Sequence, residues 1–449
     1  MNTEIQKGEE LAQGKTKIIY GVQDRPEMVI VKNKSALTKF DDPSQTQQMA
    51  GKEVHATATT CRVFELLRES GIPVAYQGQI SPTEFAAQRC QMIPLEVVAR
   101  RFAVGSCLNR SPQLRHEDGQ PPHRFHRLVV EFFLKTTDGK IKNRHGQIGE
   151  TPYYPGTKKP IDDPLISNPG DKIWQLRHPK VPLWDMHSEL SAIFGHQLTV
   201  CADAILPDGV SVRLLEAITR EVFLVLEGAW AVLGYRLIDF KIEFGVSADG
   251  ELLVADVIDN DSWRLRDREW QELSKQLFRD DAGMEQIANA YALVAKLVEQ
   301  FRIPRQALVL WRGSEKDQFP ELSELPVGVQ VVKITRSGHK SPNDCMQELK
   351  KVLTDFPEGG VILALVGMSN GLGPMLASRT SWPVFAVPLT AKEKPHDVWS
   401  SLETPSEVPL ATTLSFKNAT LAALNILAQK NPAAYARRQS CIEELDGNL

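Results

Sequence analysis

The chain has 449 residues, 42% of them hydrophobic and 24% charged, which is ordinary for a globular protein and long enough for two or three domains with proper cores. A net charge of −4 and a pI near 6.2 exclude a nucleic-acid-binding surface as the main function. No apolar run is long enough to span a bilayer, since 222–233 is interrupted by Glu227 and Gly228, and the six scattered cysteines form no CxxC pair, so reduced thiols, a cytoplasmic setting and no zinc site are expected.

Taken in order, residues 11–20 come first. Gly14 lies among small and basic residues, with Lys15 and Lys17 leading into a β-branched strand. That pattern can lay backbone N–H groups and ammonium groups against phosphates, although a plain surface hairpin makes it too. A partner strand is expected at 28–32. The spacing of Val63, Phe64 and Leu67 predicts a helix over 55–70 that stops at Gly71. Strands are expected at 74–76 and 92–99. Arg100 and Arg101, followed by Gly105 and Ser106, suit an oxyanion: guanidinium forks, close backbone approach and a hydroxyl donor. An exposed basic loop has the same composition. After a strand at 128–135, residues 136–159 are polar and rich in Gly, Lys and Pro and read as a long surface loop. Helices are expected at 184–194 and 210–233.

Residues 238–245 alternate strictly, with Ile238, Phe240, Ile242 and Phe244 on one face and Asp239, Lys241 and Glu243 on the other. Residues 247–250 are a turn signal, and 252–258 read as the returning strand. A turn centred between Ala248 and Asp249 sets Lys241 opposite Asp256 and Glu243 diagonal to Asp256 on one face. A slip of one residue parts them. Two carboxylates aimed at one point call for a cation, and oxygen ligands suit magnesium that also holds nucleotide phosphates. A solvated hairpin face with a salt bridge is the plainer reading; Asp259 to Arg264 concentrate too many functional groups at the strand end for a plain edge. A helix over 269–280 would carry Lys275 and Arg279 on one face.

A patterned helix at 285–301 ends at Pro304, and the pattern then changes. Short apolar runs at 307–311, 329–335, 361–366 and 384–387 alternate with helical stretches, which argues a parallel, doubly wound sheet. The first three end in loops of small polar residues: Ser314 to Asp317, Ser337 to Lys340, and Ser369, Asn370 and Gly371. Ligands sit beyond the carboxyl ends of such strands. His339, beside Lys340, is placed for acid/base or phosphate work.

Together these motifs resemble the animal bifunctional phosphoribosylaminoimidazole carboxylase / phosphoribosylaminoimidazole-succinocarboxamide synthetase family. The residues that carry the resemblance are Gly14 to Lys17, Met92-Ile93-Pro94, Arg100 and Arg101 with Gly105 and Ser106, and Asp239 to Gly245. Asp256 to Leu265, Ser369 to Pro374 and Asp397 to Leu402 add to it. The resemblance implies an ATP-grasp-like synthetase domain at 1–283, a linker helix at 284–304, a Rossmann-like carboxylase domain at 305–430 and a C-terminal tail at 431–449. It implies ATP- and magnesium-dependent ligation of L-aspartate to carboxyaminoimidazole ribotide through an acyl phosphate. It also implies carboxylation of aminoimidazole ribotide by CO2 without ATP or biotin. By match, Gly14, Lys15, Lys17 and Met92 hold ATP, and Glu243 and Asp256 hold Mg2+. Arg100, Ser106, Asp239 and Arg264 hold the ribotide, Lys241 sits at the reacting carboxylate, and Lys275 and Arg279 bind the acidic partner. In the second domain Ser314, Asp317, Ser337, His339 and Lys340 hold the ribotide, while Ser369, Asn370 and Gly371 line the CO2 site. A homo-octamer in the cytoplasm is implied, with small-molecule partners and neither nucleic acid nor membrane.

The sequence departs from the family at several positions. Ser35 and Ser274 stand where aspartate is usual, and 136–160 is an insertion that displaces Asp162-Asp163-Pro164 from Lys135. Lys316 replaces a serine, Gly338 an alanine and Met368 an arginine, and only Gln318 to Val327 separates the first ligand loop from the next strand. The competing expectation is an active synthetase whose second domain is a non-catalytic oligomerisation scaffold.

Overall fold

A computed structural model describes residues 5–38, 45–117, 119–182, 184–185 and 198–446. The chain divides into two compact units, the first reaching Phe301 and the second running from Arg302 to Leu445. The helix expected at 184–194 falls almost wholly outside the described residues.

In the first unit an antiparallel sheet carries, in spatial order, Lys7–Gln13, Lys17–Val22, Met28–Asn33, Glu84–Gln88 and Tyr76–Ser81. Its inner face, through Val31 and Phe85, is buried, and the helix Lys52–Glu69 lies on it with Val63, Phe64 and Leu67 inside. A second, larger sheet is centred on the twelve-residue strand Arg236–Ser247, which pairs with Leu95–Phe102, Cys90–Met92, Leu252–Ala255 and Trp263–Arg266. Ile238, Phe240, Ile242 and Phe244 are buried, and Phe240 meets Phe223 of the helix Val212–Val232 edge to face. The alternation in the sequence is therefore that of a half-buried strand.

Three expectations need correction, and one strand is new. The hairpin register is one residue off: Val246 faces Leu252 and Glu243 faces Ala255, because the loop holds three residues and ends on Gly250 at φ +84. Three-residue loops of this kind close on a left-handed glycine. Residues 136–150 are no plain loop but a small sheet of Thr136–Thr137, Lys140–Asn143 and Gly146–Glu150, pinned by buried Ile141. The helix expected over 269–280 is a single turn, Gln276–Arg279, since Asp267 and Glu272 hold the preceding backbone N–H groups in turns. Glu84–Gln88 had no sequence signal, its alanines leaving no alternation to read.

The helix read as a linker is Met284–Val298. Ile287, Ala290 and Tyr291 pack on it against Leu37, Met49, Leu277 and Phe278 inside the first unit. The segment read as a tail holds the helix Pro432–Asp446, with Ala434 fully buried.

The second unit is a five-stranded parallel sheet ordered Val329–Thr335, Gln306–Arg312, Gly360–Val366, Val384–Pro388 and Leu410–Thr412. Val309 and Trp311 face the helix Pro342–Asp355, and Leu308 and Leu310 face the helix Phe416–Leu427. The short segment after the first ligand loop makes no helix; Phe319, Leu322 and Leu325 lie extended over the sheet instead. Leu410–Thr412 is a fifth strand that three residues of ordinary composition do not announce.

Candidate functional site

In the first unit the functional groups cluster around the polar face of Arg236–Ser247. Asp239 has Arg100 as its cross-strand neighbour on one side and Arg264 on the other. Its Oδ2 accepts from both guanidiniums. Arg100 also donates from Nε to Glu131 at 2.8 Å, and Arg110 donates to the other Glu131 oxygen. Three guanidiniums against two carboxylates leave one net positive charge in a buried cluster. Ser106 Oγ is 3.4 Å from Arg100, and a Cβ on Gly105 (φ +57) would strike Arg264 at 2.6 Å, so the glycine permits the close approach. Arg264 and Arg279 both reach Gln276 Oε1, at 3.3 Å. The sequence-predicted Arg100, Ser106, Asp239, Arg264 and Arg279 thus converge on one net-positive cluster. Arg101 does not join them: it is fully buried and forks onto Glu227 at 2.7 and 2.9 Å.

Two and four residues along the same face stand Lys241 and Glu243, at steps of about 7 Å. Lys241 donates to Glu96 at 2.5 Å. Glu243 is 7% exposed and takes both hydrogen bonds from Lys135, at 2.7 and 2.6 Å. Burial alone would push its carboxyl up, but Lys135, Lys241 and Lys17 hold it below the ordinary carboxylate range. Lys17 pairs with Asp256. Burial brings the Lys17 ammonium down to about 8, partly offset by the charges of Glu243 and Asp259. The shifted hairpin register alone would turn Asp256 away from Glu243. Asp256, however, leaves the strand at φ +65, a left-handed conformation that aspartate tolerates, and its carboxylate meets the same Lys17.

Glu243 and Asp256 therefore each hold an ammonium group, that of Lys135 and that of Lys17. Among the described residues no group of three or more His, Cys, Asp or Glu is placed to hold a metal alone. Two carboxylates with lysines between them fit magnesium that takes its remaining ligands from phosphates and water. Lys275 is 3.5 Å from Asp261, which also binds Lys52 at 2.9 Å and the Tyr291 hydroxyl. Gly14 opens the turn, its N–H donating to Lys17 O at 2.9 Å, and Lys15 is exposed. Met92 is also exposed, at 43%, and borders a cavity of about 250 Å³.

Sequence reasoning gave no role to Lys135, Glu131, Glu96, Gln276 or Asp163. Lys135 and Glu131 carry a readable signal, as charged residues in a strand that ends beside the site. Asp163, at the end of the insertion, accepts from Thr136 N at 2.9 Å. Burial, then the Glu96 carboxylate, push it up to about 7. Its folded value lies above its unfolded one, so its stabilising contribution is present at acid pH and lost as pH rises from about 4 through 7. Asp163→Asn should remove that loss: the Tm of the native protein falls relative to the variant across this range and stays below it at higher pH. Parallel Tm curves at all pH values would refute the assignment.

In the second unit the three predicted loops meet at the carboxyl ends of the strands. The Asp317 carboxylate lies where a Cβ on Gly367 would be, at 2.3 Å, and the His339 ring where one on Gly371 would be, at 2.1 Å. His339 Nε2 is 3.0 Å from Ser369 O. Asp397 accepts from Ser369 N at 2.8 and 3.0 Å, fixing Ser369 at φ +52. A Cβ on Gly338 would sit 3.1 Å from Leu372 Cα, so glycine in place of alanine lets the second loop close on the third. Ser314 and Ser337 cap their own loops, accepting from Lys316 N at 3.2 Å and Lys340 N at 3.1 Å. Lys340 is exposed at the rim. Asn370 differs from its predicted role as a lining group: its side chain is committed to Ser401 at 3.0 Å and Gly373 N at 2.8 Å, and it holds the loop rather than facing a ligand.

Comparison with known proteins accounts for both units. The family model "SAICAR synthetase" matches residues 10–147 and 201–296, and "AIR carboxylase" matches 317–446. The "Probable multifunctional protein ADE2" of Caenorhabditis elegans is 32% identical over 95% of this chain and 92% of its own length. The "Bifunctional phosphoribosylaminoimidazole carboxylase/phosphoribosylaminoimidazole succinocarboxamide synthetase" of Drosophila melanogaster is 30% identical, covering 94% and 90%. A solved structure described as "SAICAR synthetase (Type-2) in complex with ADP" is 23% identical over 64% of this chain and 96% of its own, with a TM-score of 0.46. With both matches in order along one chain, this protein belongs to the bifunctional family of AIR carboxylase joined to SAICAR synthetase.

Proposed function

We propose that the first unit ligates L-aspartate to carboxyaminoimidazole ribotide at the expense of ATP, and that the second adds CO2 to aminoimidazole ribotide. The observation that carries the ligase reading is the single strand face on which Asp239, Lys241 and Glu243 follow one another. The arginine pocket at Asp239, with its net positive charge, Ser106 and Gly105, holds the ribotide phosphate. Lys241 lies against the carboxylate that reacts. Lys17 and Lys15 approach the ATP phosphates, and Glu243 and Asp256 would hold Mg2+. When bound, Mg2+ neutralises the transferring phosphoryl group. The carboxylate oxygen takes the γ-phosphoryl group and ADP leaves; the aspartate amine then attacks the acyl carbon, and phosphate departs as the amine gives up its proton. Lys275 and Arg279 attract the aspartate carboxylates. The chemistry needs charge neutralisation more than proton transfer, which suits a site built of lysines and arginines.

In the second unit a C–C bond forms between the imidazole carbon and CO2, and that carbon loses its proton to His339, whose ring lies against the Ser369 loop. Ser314, Asp317, Ser337 and Lys340 hold the ribotide, and Ser369 and Gly371 form the CO2 wall. The closure of His339 on Ser369 and Gly371 supports a working site rather than a bare scaffold. Neither biotin nor ATP has a part in this step. No helix among the described residues is long and apolar enough to cross a membrane. The family relation supports a cytoplasmic homo-oligomer of octameric order.

The test supplies purified protein with aminoimidazole ribotide and bicarbonate without ATP, and couples product to a separate synthetase. Product above the uncatalysed background is expected, and Lys340→Ala should lower it about a hundredfold while ATP-dependent ligation persists. No carboxylation by the native protein, with ligation intact, would reduce the second unit to an assembly role.

A further inference from the structure

The inserted segment 136–160 ends over a cavity, and its construction is not that of a slack surface loop. Its base is fixed. Ile141 and Ile161 are buried, Thr151 N donates to Gly139 O at 2.8 Å, and Asp162 accepts from Gly139 N and Thr136 Oγ1, each at 2.8 Å. Gly139 sits at φ +71, and a Cβ there would strike Pro160 at 2.5 Å and Thr151 at 2.7 Å. From this base the strands Lys140–Asn143 and Gly146–Glu150 project a tight tip. Asn143 Oδ1 accepts from His145 N at 2.8 Å, and Arg144 Nε lies 3.0 Å from His145 Nε2.

Lys142, Arg144 and His145 form one wall of the cavity of about 250 Å³; Met92 and Pro94 form another, and Asp203 with Ile205 a third. The register places this cavity. Met92 is the cross-strand neighbour of Gly245, which lies one two-residue step, about 7 Å of backbone, from Glu243 on the same face, so the cavity borders the strand that carries the candidate cation ligand. Pro94 O accepts from Lys135 N at 2.9 Å, and the Lys135 ammonium is the one that binds Glu243. Phosphates held at Lys17, and at Glu243 through a bound cation, would leave the nucleoside at the cavity.

We propose that the inserted hairpin is part of the ATP site and holds the nucleoside end of the nucleotide; this rests on the ligase reading above. The Met92 thioether and the Arg144 guanidinium are suited to opposite faces of a purine, since a planar cation stacks on an aromatic ring and a thioether packs against one. Asp203 is an acceptor for the exocyclic amine or a ribose hydroxyl. Lys142 adds positive charge toward the phosphates. The site so formed takes a purine nucleoside di- or triphosphate, and the insertion is a nucleotide-binding element.

The experiment compares the native protein with the triple variant Lys142→Ala/Arg144→Ala/His145→Ala and with Arg144→Ala alone, all as full chains with Tm checked. Mg-ADP affinity is measured by calorimetry and the ATP dependence of ligation by steady-state kinetics. The triple variant should raise the Kd for Mg-ADP and the KM for ATP by roughly tenfold, and Arg144→Ala should account for a large part of it. The kcat at saturating ATP and the KM for aspartate should stay as in the native protein. A triple variant that binds Mg-ADP like the native protein overturns the inference and leaves the ligase reading standing. A fall in kcat with no change in KM for ATP also overturns it, since the hairpin would then act on the reacting centre. A native protein that binds no Mg-ADP overturns both.

Discussion

Glu243→Gln should reduce ATP-dependent ligation at least about a thousandfold in kcat, with carboxylation by the same sample unchanged. Glutamine keeps the shape of the side chain and can still accept from Lys135, so the fold survives. What disappears is the negative charge that three lysines converge on: Lys135 at 2.6 Å, with Lys17 and Lys241 close enough to hold the carboxyl ionised despite its burial. Without that charge a divalent cation loses one of its two anionic protein ligands, and the transferring phosphoryl group loses the cation. The measurement is succinocarboxamide formation at saturating ATP, aspartate and ribotide. Asp256→Asn should behave alike. Ligation within tenfold of native in either variant would refute the metal assignment.

Glu227→Ala should destabilise the first unit by about 3–5 kcal/mol. Glu227 is the acceptor for a guanidinium with no exposed surface, which also donates to His126 O at 2.7 Å and Phe125 O at 3.3 Å. Removing the carboxylate takes away the bidentate counter-charge of a guanidinium that has no exposed surface. Replacing both members by leucine removes charge and counter-charge together, so Arg101→Leu/Glu227→Leu should cost much less than Glu227→Ala alone. Urea unfolding followed by circular dichroism reads both. A single variant that costs under about 1 kcal/mol would mean that water reaches Arg101.

Much of this site is legible in the amino-acid sequence. Strict alternation over 238–244 identifies the central strand and the face that carries Asp239, Lys241 and Glu243, because period-two burial leaves a direct trace in sequence. Arg100, Ser106 and Arg264 are legible for a related reason: guanidiniums and a glycine at strand ends are expensive to keep without a use. What escapes depends on backbone detail. A three-residue loop rather than a two-residue one moves the register, and the left-handed turn at Asp256 restores the carboxylate; neither leaves a pattern that periodicity detects. Lys135 and Glu131 reach the site from another strand of the sheet, a relation set by pairing order alone. Apart from Ile141 and Ile148 the hairpin at 140–150 is made of Lys, Asn, Arg, His, Gly, Gln and Glu, and only Ile141 is buried, so it leaves no hydrophobic period to read. Asn370 shows the converse: a polar residue in a ligand loop that is wholly occupied in keeping the loop in shape.

The strand Arg236–Ser247 also acts as a ruler. Asp239, Lys241 and Glu243 are graduations cut at the two-residue repeat of an extended chain, and the strands paired on both sides keep that scale from stretching. The backbone distance from Asp239 to Glu243, the proposed ribotide and cation positions, is thereby fixed by covalent geometry rather than by side-chain flexibility. Lengthening the strand by one residue anywhere between Asp239 and Glu243 would not adjust that distance but turn one end of the scale to the opposite side of the sheet. Within this span the chain can exchange residues but cannot gain or lose one.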